Sequence, residues 1–277
     1  MRIKAPAAKV RFEVGVLAVG VLVPCAIVGF LAALPILGVS FTEGAPLTSL
    51  FGARWRAATG EFGIASLLIG TIVCAAIATA VSIVLGILAA THLATRAGPI
   101  EQYLGEASLA AMSALPSVVV GLVGLDILVP LFGFSAATAV PTLVLMILPT
   151  VALLALAALR DILDRLRDQA RALGYEEHQI TWLAIRSARR RLIACGLLGL
   201  ARACGEATAV SMVAGNPPSG LWAGLNAPAR TITSTVLIEH GGATGTHQAA
   251  LFMIATVLGL LIVVLTLCGR MLLGAEK

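Results

Sequence analysis

Long apolar runs, interrupted by charge at only a few places, set the pattern of this chain. Residues 14–42 contain no Asp, Glu, Lys or Arg, and neither do residues 62–95. Between residues 107 and 159 the only such charge is Asp126. About 20 apolar residues suffice for a helix to cross the hydrocarbon core of a bilayer. The 107–159 run is too long for one helix, and residues 130–135 (Pro-Leu-Phe-Gly-Phe-Ser) are where it divides. Pro116 and Gly121 are expected to kink or loosen the earlier half, which membranes tolerate where neighbouring helices re-satisfy the backbone. The pattern predicts six spans, at about residues 14–40, 64–91, 107–129, 138–159, 192–215 and 248–273, behind a polar tail over residues 1–13.

One polar island stands between spans four and five, at residues 160–191. Within it Ile162, Leu163, Leu166, Ala170 and Leu173 fall at roughly helical spacing, which predicts an amphipathic helix stopping at Gly174. Ile180, Leu183 and Ala184 predict a second short helix after that turn. Helix, glycine turn and helix make a compact knob. It either docks as a rigid body on a partner or simply links two spans.

Composition narrows the class. Of 277 residues 59% are hydrophobic and 12% charged, against about 25% charged in a soluble domain. The chain reads as an all-α integral membrane protein. Its net charge of +5 does not point to nucleic acid, because the basic residues sit beside apolar spans. With the N-terminus inside, fifteen Lys and Arg fall on the cytoplasmic side and three, Arg54, Arg56 and Arg230, on the outer side. That asymmetry puts both termini in the cytoplasm.

The five cysteines lie in apolar runs with no CxxC, and read as small packing residues. His92, His178, His240 and His247 show no metal-ligand spacing and read as loop or interface residues. Lys4, Lys9 and Lys277 are the only lysines and none follows a glycine, so no phosphate-binding loop of the Gly-x-x-x-x-Gly-Lys type exists. No enzyme motif and no cofactor is expected on this chain.

Two charges fall inside the fifth apolar run, Arg202 and Glu206. Four residues apart in a helix, they would share a face and neutralise each other. A buried arginine at mid-membrane costs about 2.5–3.5 kcal/mol on insertion scales, so it faces protein or an aqueous path. Either the pair locks the span to a neighbour, or the guanidinium lines a pathway and meets an oxyanion, which its planar fork suits. Thr208 and Ser211 would add hydroxyl donors. Asp126 has three readings: partner of Arg202, member of the exit path, or outer-interface residue.

The island also resembles a known family. Residues 167–174 (Arg-Asp-Gln-Ala-Arg-Ala-Leu-Gly) are similar to the Arg-Glu-Ala-Ala-x-Ala-Leu-Gly loop of ABC importer permeases. Residues 199–216, which include Arg202-Ala-Cys-Gly-Glu206, resemble the Gly-x-x-Arg-Ala-x-Gly-Glu-Thr-x-Ala-Val helix of the phosphate-specific permeases, and of their C-type subunit in particular. Residues 115–124, with Ser117, are similar to that family's Pro-Ser-Val-Val-x-Gly-Leu-x-Gly segment. Asp168-Gln169-Ala170 stands where the family reads Glu-Ala-Ala. The resemblance covers roughly residues 60–265. It implies a type I ABC importer permease fold whose cytoplasmic coupling helix lies between spans four and five. Asp168, Gln169, Ala170 and Gly174 would contact an ATPase. Arg202, Glu206, Thr208, Ser211, Asp126 and Ser117 would line the substrate path. The implied partners are a second phosphate-type permease subunit, two copies of an ATPase carrying ATP and Mg, and an extracytoplasmic phosphate-binding protein that meets residues 43–61 and 216–247. Sulfate, molybdate or phosphonate as cargo, and a passive channel, are the alternatives.

Overall fold

The structure is a computed structural model that describes residues 52–274. The tail and span one, placed at residues 14–40, lie outside the described residues. The described chain begins with two short strands, β1 (Trp55–Arg56) and β2 (Glu61–Phe62), paired antiparallel with Trp55 opposite Phe62. This stretch begins within residues 43–61, expected on the outer side. Trp55 in it is wholly buried, its ring edge-on to Phe62 at 5.4 Å.

Helix α1 (Ala65–Thr95) follows the charge-free run and exceeds its predicted end by one turn. Ala75, Ala78, Ser82, Gly86 and Ala90 recur at three- or four-residue spacing and are all buried. Small side chains let two backbones approach closely in a membrane. A Cβ at Gly86 would come within 3.2 Å of the Ala152 backbone nitrogen on the neighbouring helix.

Span three, expected as one kinked helix over residues 107–129, is two helices. α2 (Pro99–Ser113) and α3 (Ser117–Phe132) meet at 94°. Proline disfavours helical backbone in the residue before it and cannot donate to the preceding turn. Pro116 therefore starts a new helix, with extended backbone at φ −60°, ψ 138°. Within α3, residues Gly124–Leu128 form a π-helical turn that carries Asp126. Such turns are rare and frequently mark functional places.

Span four, expected over residues 138–159, is part of a longer helix. α4 (Ala136–Ala172) is one 37-residue helix, about 55 Å long, against a hydrocarbon core of about 30 Å. Spanning segment and first knob helix are thus continuous. The Ser135 hydroxyl caps its start, accepting from the Thr138 N–H at 3.2 Å. α4 is the central post: 61% of its most apolar window is buried inside the molecule, against 33% for α1.

The knob continues with α5 (Glu177–Ser187), where the second short helix was expected. Span five, predicted as one helix over residues 192–215, is broken: α6 (Arg189–Gly205) ends at Gly205 and α7 (Thr208–Val213) begins after Ala207. α8 (Ile232–Glu239) lies within residues 216–247, the stretch expected to meet a binding protein. α9 (Gly245–Gly274) matches span six, with 22% of its apolar window buried. Cys74, Cys195 and Cys204 are buried as expected, whereas Cys268 on α9 is exposed. Leu143, Ile147 and Val151 of α4 join Leu251 and Ile254 of α9 in the main core. The described chain is thus mostly helical, with α1, α4 and α9 each long and apolar enough to cross a membrane.

Candidate functional site

The knob is built by local rules. α4 ends in a Schellman turn: Gly174, at φ +83°, lets the Tyr175 N–H donate to the Ala170 carbonyl at 3.1 Å and its own N–H to Arg171 at 3.0 Å. α5 opens with a capping box, the Glu176 carboxylate and the Gln179 amide oxygen each accepting from the other residue's backbone N–H. Arg167 and Arg171 both reach Glu177, at 2.9 and 2.5 Å, and tie the two helices across the turn. Hydrogen bonds from Arg171 and Arg167 hold the Glu177 carboxyl below its usual range. Arg191 and Arg165 do the same for Asp161. Asp168, Gln169 and Gly174 are exposed, while Ala170 packs inward with Ile180 and Ala184. Leu173, Tyr175 and Trp182 also stand exposed at this end. Sequence reasoning passed over Trp182, although a large ring on a polar helix was the available signal.

The second region surrounds the break between α6 and α7. The expected Arg202–Glu206 pair does not form. That expectation assumed an unbroken helix, but Glu206 has extended backbone at φ −71°, ψ 119°, so its side chain leaves the α6 face. Its carboxylate accepts from the Ala209 N–H at 3.2 Å and caps α7, and its carbonyl accepts from the Thr233 hydroxyl at 2.8 Å. Arg202 is exposed and has no ion-pair partner among the described residues. Asp126 is exposed on its π turn and is not paired with Arg202.

The structure does bring two predicted segments together. α3, carrying Ser117 and Asp126, lies against α7, carrying Thr208 and Ser211. A Cβ at Gly121 would come within 2.7 Å of the Met212 sulfur and 3.1 Å of the Ala209 Cα, so a larger residue would have to push α3 and α7 slightly apart. Ser117, Thr208 and Ser211 are half-buried, and the Ser211 hydroxyl donates back to the Thr208 carbonyl at 2.8 Å. Irregular backbone at membrane depth is tolerated where it is enclosed by protein or lines an aqueous cavity. The outward-facing arginine and the capped break fit the second setting, since lipid is a poor environment for a guanidinium.

A third cluster was missed altogether. Glu239 at the end of α8 accepts from Trp55 Nε1 at 2.8 Å, Arg230 at 2.5 Å and His247 at 2.8 Å. His247 stacks on Phe62 with centroids 5.9 Å apart. Burial alone would raise the Glu239 pKa, but hydrogen bonds from Trp55 and His247 and the Arg230 charge outweigh it and hold the carboxyl low. Trp55 and Glu239 lie 184 residues apart in sequence, so no spacing rule finds them. Among the described residues no three His, Cys, Asp or Glu side chains gather as metal ligands.

Comparison with known proteins places this architecture. The phosphate transport system permease protein PstC of Xylella fastidiosa is 26% identical over 271 residues, covering 87% of this chain and 80% of that protein. The protein of the same name in Pasteurella multocida is 26% identical over 256 residues, or 79% of this chain and 77% of its own length. A probable PstC of Methanocaldococcus jannaschii is 27% identical over 254 residues, 79% and 80% of the two chains. The sequence profile of one family, the binding-protein-dependent transport system inner membrane component, matches residues 82–273. With its membrane-length helices, its polar knob and a family match over most of its length, the chain belongs to the binding-protein-dependent transport system inner membrane components, the permease subunits of ABC transporters.

Proposed function

We propose that the chain is a permease subunit of an ATP-driven importer for inorganic phosphate. It spans the inner membrane six times with both termini cytoplasmic. It pairs with a second phosphate-type permease subunit, and two copies of a separate ATPase bind ATP and Mg on the cytoplasmic side. An extracytoplasmic phosphate-binding protein delivers the anion to the outer face around residues 43–61 and 216–247. The observation that carries this reading is Arg202, exposed and without an ion-pair partner among the described residues, one turn before a break in a membrane helix. A guanidinium offers a planar fork of donors to a tetrahedral oxyanion. Ser117, Thr208, Ser211, Asp126 and the capped Glu206 border the same route.

The knob supports coupling to the ATPase. Asp168, Gln169 and Gly174 face outward there, Ala170 holds the helix end, and Leu173, Tyr175 and Trp182 form an uncovered apolar surface. Being continuous with α4, the knob would carry force into the membrane as a lever rather than through a flexible joint.

The cargo is tested by reconstituting the chain with its partners and measuring ATP-dependent uptake of labelled phosphate. Excess sulfate, molybdate or phosphonate is expected to leave phosphate uptake nearly unchanged. Uptake of one of these in place of phosphate would reassign the cargo and leave the permease role intact.

A further inference from the structure

Two cavities lie end to end along α1. The first, about 410 Å³, is a trough between α1 and α6, bordered by Ala76, Ala80, Ile83, Ile87, Ile193 and Leu197. The second, about 360 Å³, starts where the first stops, since Ile87 borders both. Its wall turns polar, with Thr91, Thr95, Arg96, His178 and Thr181. The dimensions match one leaflet of a bilayer. From Ala76 to Ile87 the helix rises about 16 Å, roughly half of a hydrocarbon core about 30 Å thick. From Thr91 to Arg96 it rises a further ~8 Å, comparable to one headgroup layer.

The charges complete the correspondence. At the polar mouth His92 is paired with Glu101 at 2.6 Å and His178 with Glu176 at 3.1 Å. Arg96 is exposed and without an ion-pair partner among the described residues, and the Thr91 hydroxyl lacks a hydrogen-bond partner. We propose that this trough and its mouth hold one phospholipid of the cytoplasmic leaflet, an acyl chain between α1 and α6 and the phosphate on Arg96. The first span is a poorer occupant. Its tail over residues 1–13 carries Arg2, Lys4, Lys9 and Arg11 against the single acid Glu13, a net charge of +3 that Arg96 repels. The inference rests on the orientation given by the positive-inside asymmetry and is independent of the cargo.

The test is native mass spectrometry of the purified full-length chain in mild detergent, titrated with dioleoyl phosphatidylglycerol. One lipid per chain is expected to be retained. Dioleoylglycerol, which has the same chains and no phosphate, should be retained at least about fivefold less, because an interfacial basic contact is worth about 1 kcal/mol. Arg96→Glu should lose the lipid by at least the same factor, and Ala80→Phe, on an exposed face of α1, should lose it by filling the trough. Millimolar inorganic phosphate should not displace it. Retention unchanged in both variants, equal retention of dioleoylglycerol, or displacement by inorganic phosphate overturns the proposal. So do crosslinks from a cysteine at position 80 to the first span or to a second chain. Retention is read without transport or ATP hydrolysis, so its failure leaves the permease reading standing.

Discussion

At the scale of single residues, the structural contact of Glu206 can be separated from its proposed place in the pathway. Its carboxylate caps α7, and an amide oxygen is able to accept the same hydrogen bond from Ala209. Glu206→Ala is expected to lower stability by about 1 kcal/mol, the usual cost of a lost cap, whereas Glu206→Gln should stay close to the parent in thermal unfolding. Phosphate uptake by the Gln variant then reads the charge alone: loss of uptake at parental stability assigns the carboxylate to the pathway. Glu239 makes a pH prediction. Its lowered pKa means that its network stabilises the folded chain above 4.5, the ordinary value, and that this contribution is lost as the pH falls further through the folded value. Thermal unfolding followed from neutral to acid pH should show this loss, and Glu239→Gln should flatten that part of the curve. A slope unchanged in the Gln variant would remove Glu239 as its source.

At the scale of elements, the knob and the two helix breaks carry the account. A Cβ at Gly174 meets nothing within 4 Å, so glycine is needed there for its positive φ and not for space within this chain. Gly174→Ala and Gly174→Trp should therefore strain the turn alike, by about 1–2 kcal/mol. Only the larger side chain should block docking, seen as loss of the ATPase subunit on co-purification. Equal co-purification with both would confine Gly174 to shaping the turn. Much of the knob was legible, because Ile162, Leu166, Ala170 and Leu173 before the turn, and Ile180 and Ala184 after it, fall at helical spacing and Gly174 is a strong stop. The continuity of α4 was not, since hydropathy marks where apolar sequence ends and says nothing about where a helix ends. The same limit hid the 94° bend at Pro116, where a kink was expected, and the break after Gly205, which no proline announces. The supposed Arg202–Glu206 pair failed for that reason: four-residue spacing places two side chains together only on an unbroken helix.

At the scale of the whole molecule, a long post packs against helices that are less buried than it is. The charge-free runs made α1 and α9 readable as spans, while the network that ties Arg230, Glu239 and His247 to Trp55, 184 residues from Glu239, left no local trace. In the proposed mechanism force would enter at the knob and travel along α4, and the break that follows Arg202 leads into α7, which packs closely against α3. The central claim is that Arg202 meets the transported anion on a route driven from the knob. The most direct measurement is ATP-dependent phosphate uptake in proteoliposomes holding equal amounts of each variant with its partners. Arg202→Ala is expected to lower uptake at least about tenfold, and Arg202→Lys to restore little of it, because lysine keeps the charge and loses the fork. Binding of the ATPase should be unchanged in both. Uptake by Arg202→Ala at the parental rate would contradict the account and place the anion path elsewhere in the chain.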